Sequence, residues 1–231
     1  MIKYLKIIFG LLIFSLMGCV SEETQNAALE SAATIKAKSY KVGKGSFAGT
    51  DNESYKSLNI EFSDFEELPD KYDNEKLSSI AALVFFKNLK AHDYSGFDKI
   101  KVTLNIKNTI VESLYDIKTL SIIDDYLKVS EDLITSFKEK SFEAMQQCID
   151  TTMIPTSDQD GIYNIMMKID SAYGKINNYT FTGFKLKEST NNKNPDFVIW
   201  CVLQHDNAET YLELIVNRAT KKIIYIEING E

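Results

Sequence analysis

Phe197-Val198-Ile199-Trp200-Cys201-Val202-Leu203-Gln204-His205 begins with seven consecutive apolar residues. The run is rich in β-branched and aromatic side chains and short for a helix, so it reads as a strand. Alternation puts Phe197, Ile199, Cys201 and Leu203 on one face and Val198, Trp200 and Val202 on the other. A strand apolar on both faces is central and covered on both sides, or it lines a concave pocket.

Three more strand patterns surround it, at 179–187, 209–217 and 222–229. Asp206-Asn207 supplies one tight turn and residues 217–221 the next. Connections this short force antiparallel neighbours, because parallel strands need a crossover of a dozen or more residues. The last third of the chain is therefore predicted to be a four-stranded antiparallel meander.

Helical patterns precede it. Ile122, Ile123, Tyr126, Leu127, Val129, Leu133, Ile134 and Phe137 recur at helical spacing over 119–138. A shorter segment, 141–149, carries Phe142, Met145 and Cys148 at spacing three. Pro155 and Ser157-Asp158 break the chain, and Asp158 is placed to cap a third helix running to Tyr173, where Gly174 stops it.

The first half has another order. Leu58, Ile60 and Phe62 alternate with polar residues, as do Ile100, Val102, Leu104 and Ile106. Between them Asp73 offers an N-cap, and Leu77, Ile80, Ala81 and Val84 fall at helical spacing. Two strands, a helix and two more strands are expected over 35–117. The fold class predicted is α+β in two small domains, 35–117 and 118–231. In the second, helices are followed by a curled four-stranded sheet.

Met1 to Cys19 has another character. Lys3 and Lys6 precede a largely apolar run over 7–17, which is followed by Gly18 and Cys19. The run is shorter than the roughly 20 residues that span a bilayer, so it reads as a secretory signal peptide covering 1–18. Residues 20–34 are polar and alanine-rich with no large side chain pattern, and 19–34 is expected to be a flexible tether, partly helical at most.

Leu16-Met17-Gly18-Cys19 resembles the lipobox of bacterial lipoproteins. That resemblance implies cleavage between Gly18 and Cys19 and a diacylglyceryl group on the Cys19 sulfur, holding the protein to a membrane. Met17 departs from the smaller residue the pattern prefers. Val20 stands where enteric lipoproteins retained at the inner membrane carry aspartate, so the outer membrane is the expected location, with the face left open. Ser21-Glu22-Glu23 is similar to the surface-export signal of lipoproteins from the Bacteroidetes. In the second domain, helices followed by a curled sheet resemble the nuclear-transport-factor-2-like superfamily and the related cystatin-like fold. This likeness covers 119–231 and rests on element order.

Loss of residues 1–18 removes Lys3 and Lys6 and no acid, taking the net charge from −7 to −9. So acidic a chain is a poor partner for nucleic acid. With Cys19 lipidated, Cys148 and Cys201 remain, either bridged or as two small buried residues. No Cys/His cluster marks a metal site, and no cofactor is implied.

Other candidates are sparse. The glycine-rich stretch 43–49 lacks phosphate-loop spacing and reads as a strand and hairpin. His205, beside Asp206, is a base at a sheet's end or a hairpin residue; His92 has no metal-ligand partner at useful spacing. Glu213, Tyr211 and Tyr225 share a face by alternation, and enzymes of the superfamily named above point acid/base groups into the cavity. Asp64, Glu66, Glu67, Asp70, Asp73 and Glu75 lack calcium-loop spacing and read as a solvated segment. The expected function is a non-catalytic envelope lipoprotein that holds another macromolecule or a small ligand. The alternative is a hydrolase or isomerase using the cavity of the second domain.

Overall fold

The computed structural model describes residues 20–48, 54–65, 73–107, 109–187 and 195–230. Residues 1–18, expected to be a signal peptide, and Cys19 lie outside the described residues, as do Gly49, Glu66, Glu67 and Asp70. The chain divides into two compact units between Leu120 and Ser121. The architecture is α+β, each unit with a four-stranded sheet that does not close on itself.

The first unit runs α1 (Glu22–Thr34), β1 (Ala37–Ala48), β2 (Ser54–Phe65), α2 (Asn74–Asn88), the one-turn α3 (Ala91–Tyr94), β3 (Lys99–Ile106), β4 (Thr109–Asp116) and α4 (Ile117–Leu120). The sheet order is β1-β2-β3-β4. Both hairpins are antiparallel, whereas β2 and β3 are parallel because α2 carries the chain back between them. Leu58, Ile60 and Phe62 lie in register with Ile100, Val102 and Leu104, and all six are at most 1 % exposed. Burying each contributes about 1.5–3 kcal/mol, which makes this block the centre of the core. Asp73 caps α2 as expected, accepting from the Glu75 amide at 3.0 Å.

Residues 20–34 are not a flexible tether. Ser21 caps α1, its Oγ accepting from the Thr24 amide at 3.1 Å and donating to Asp93 Oδ1 at 2.7 Å. Ala27, Ala28, Ser31 and Ala32 are buried, and α1 packs against α2 and β1. Ser31 Oγ donates to the Ala81 carbonyl of α2 at 2.8 Å. The buried face of α1 holds only small residues, with Leu29 turned to the exposed side, and small side chains let the two helices approach. A composition that signals nothing to pack is here the packing device.

The second unit runs α5 (Ile123–Lys138), α6 (Phe142–Cys148), α7 (Thr156–Tyr173), β5 (Ile176–Lys187), β6 (Asp196–His205), β7 (Glu209–Val216) and β8 (Ile223–Gly230). Its sheet is the predicted meander, order β5-β6-β7-β8, antiparallel throughout. β6 is central and buried on both faces, as its apolar run requires. Its Phe197 face meets α5, with the Tyr126 and Phe197 rings 4.3 Å apart.

One helix start differs from expectation. Pro155, extended at φ −57° and ψ 155°, precedes the first turn of α7, and Asp158 lies inside that turn instead of capping it. There its carboxylate meets the positive end of the helix dipole. Gly174 ends α7 at φ 88°, where a Cβ would come within 2.5 Å of Asp206. Among the described residues no helix is long and apolar enough to cross a membrane.

Candidate functional site

The space between the second sheet and its helices is the natural place for a site, and it is filled. Phe184, Phe197, Ile199, Leu203, Leu212 and Leu214 from the sheet, with Ile123, Leu133, Ile134 and Met145 from the helices, are all at most 1 % exposed. The alternative reading requires paired titratable groups in a concavity, and the interior offers apolar side chains instead.

His205 lies at the border of this interior with both ring nitrogens engaged. Nδ1 is 2.9 Å from the Gly174 carbonyl and Nε2 is 3.0 Å from Thr210 Oγ1. A carbonyl only accepts, so Nδ1 donates to it, and Nε2 pairs with the threonine hydroxyl. The ring thus ties the end of α7 to β7. Its neighbour Asp206 accepts from Asn177 Nδ2 and the Lys175 amide, both at 2.9 Å. These bonds, the asparagine's first, hold its carboxyl below the usual range.

Strand alternation does bring Tyr211, Glu213 and Tyr225 to one face, pairing with Val202, Trp200 and Ile215 respectively. That face is opposite the one on which Phe197 meets α5. There Trp200 Nε1 donates to Glu213 Oε2 at 2.7 Å, and Lys185 Nζ lies 5.1 Å from the Trp200 ring centroid. Tyr225 donates to Glu227 at 2.7 Å, a bond that raises its pKa by stabilising the phenol. The face is a bonded polar and aromatic surface.

Cys148 and Cys201 are free thiols, both buried, so no bridge joins them. Burial raises the pKa of each: that of Cys201, on β6 among apolar neighbours, is pushed up to about 12. At Cys148 burial is followed by the nearby Asp132 carboxylate, against which Lys222 acts weakly. Thiols held protonated are poor nucleophiles and poor metal ligands. His92 is exposed and faces Asp93 at 3.7 Å. Of the acidic segment, Asp73 serves as a cap and Asp64 accepts from Ser39 at 2.7 Å. Among the described residues no three His, Cys, Asp or Glu side chains come together as metal ligands.

A cleft that sequence reasoning missed opens between α5, α6 and the β7–β8 turn, with a volume of about 410 Å³. Asp132, Glu139, Gln147, Cys148, Lys221 and Lys222 line it. Lys222 Nζ donates to the Gln147 carbonyl, and the backbone of Asp150 donates to the Ile223 carbonyl at 2.8 Å, closing the cleft's floor onto β8. Lys221 pairs with Asp125 at 2.7 Å and Asp132 with Lys128 at 2.9 Å. The cleft joins residues about 70 to 100 positions apart, so no local pattern announces it.

No protein family, no curated protein and no solved structure matches this chain.

Proposed function

We propose that the mature chain is an envelope lipoprotein, held to the outer membrane by lipid on Cys19, whose two α+β units hold another envelope macromolecule or a small ligand. The observation that carries this reading is that a capped, packed helix starts two residues after Cys19. Val20 is half-buried and Ser21 caps the first helix, directly after the Leu16-Met17-Gly18-Cys19 pattern. A chain cleaved before Cys19 would therefore carry its first capped, packed helix within three residues of the new N-terminus. In this reading the second unit, helices followed by an antiparallel meander, is a roll of the nuclear-transport-factor-2-like or cystatin-like kind that its element order resembles. The polar cleft of about 410 Å³ falls within the usual range for small-ligand sites and is the place assigned to one.

The test compares the natural chain with Cys19→Ser as baits for capture from solubilised envelopes. The natural chain is expected in the membrane fraction with a reproducible partner or bound ligand, and the variant in the soluble fraction. A natural chain that fractionates as a soluble protein, or brings down nothing reproducible, contradicts the proposal.

A further inference from the structure

We infer that the first unit has no free tether and rests its α3 end against the lipid headgroups, an inference built on the lipid anchor proposed above. Ser21, two residues after Cys19, is already fixed in the fold, so a lipid on Cys19 holds the start of α1 close to the membrane. Ser21 is fixed by its bonds to the Thr24 amide and to Asp93, and Glu23 pairs with Lys90 at 3.2 Å. Thr24, Ala27 and Ala28 are at most 3 % exposed, so the helix that follows cannot peel away without opening the core.

Two residues of chain reach at most about 7 Å, and the polar layer on each side of a bilayer's hydrocarbon is itself about 5–7 Å deep. A lipid on Cys19 therefore brings the start of α1 to headgroup level. Asp93 and Lys90 bond to that start, so α3 comes with it. Its surface suits the place: Lys90 and His92 are exposed, and Tyr94 packs at a tilt against Phe86 with ring centroids 5.1 Å apart. Lysines with amphipathic aromatics are the side chains that settle at a membrane interface. The far end of α1 lies about 20 Å along the helix axis from its start, from thirteen residues at about 1.5 Å each, and with the α3 end at the headgroups it is the end held away from them.

Proximity to the bilayer is read directly by a fluorophore. The natural thiols help, because Cys148 and Cys201 are buried and Cys19 is blocked by its lipid. The lipidated full chain, carrying Ser95→Cys beside α3 or Ala33→Cys at the far end of α1, is labelled and placed in vesicles whose headgroups carry a quencher. A third form inserts a Gly/Ser stretch of about 20 residues between Val20 and Ser21, giving a reach of roughly 25 Å. The label at 95 is expected to lose most of its emission and the label at 33 almost none, with the insertion restoring emission at 95. Equal quenching at both positions, or no effect of the insertion, overturns the inference while the mass of the N-terminal peptide still shows the lipid. A peptide without lipid overturns the anchor itself, and the inference with it.

Discussion

At the scale of single residues, two titratable groups, His205 and Asp93, are fasteners. His205 bonds to the last turn of one helix and to a neighbouring strand through its two nitrogens. His205→Phe fills the same space and leaves the Gly174 carbonyl and Thr210 hydroxyl without their partner. Urea unfolding of this variant, followed by the fluorescence of Trp200, should show a loss of about 1–3 kcal/mol. An unchanged midpoint would mean that the imidazole is not structural. Asp93 fastens the other unit. Its pKa is lowered, first by the Ser21 hydrogen bond, so its stabilising effect is complete above the ordinary carboxylate range and is lost as pH falls through the lowered value. Hydrogen-exchange protection of the Thr24 and Gln25 amides should hold from neutral pH down to about 4 and fall below that. A fall that begins near neutrality would contradict this assignment.

Among the elements, α1 carries the sharpest consequence. Its contact with α2 depends on the small size of Ala28, which is fully buried. Ala28→Leu forces the helices apart and should cost the first unit about 1–3 kcal/mol, visible by circular dichroism. Trp200 is the chain's only tryptophan and lies in the second unit, so its fluorescence transition should stay in place. If the variant is as stable as the natural chain, α1 is after all a loose segment. The strands and larger helices were legible because alternation at Leu58, Ile60 and Phe62, and helical spacing from Ile122 to Phe137, each bury one side. α1 was hidden because alanine packing has almost no periodic hydrophobic signal. Ser21 followed by Glu22 and Glu23 was the available clue: a capping residue with acids in the first turn marks a helix start. The cleft was hidden for another reason, since its walls meet only when β8 folds back beside α6.

For the whole molecule, two independently cored α+β units follow a segment whose sequence resembles a lipoprotein signal. The address and the fold meet at one point, where Cys19 is followed at once by a capped, packed helix. That makes the chemistry of one sulfur atom the hinge of the functional reading. The direct measurement is the mass of the N-terminal peptide isolated from native membranes. A peptide beginning at Cys19 and carrying a diacylglyceryl group is the result expected; an unmodified thiol at that position, or a chain cut at any other bond, would contradict the account.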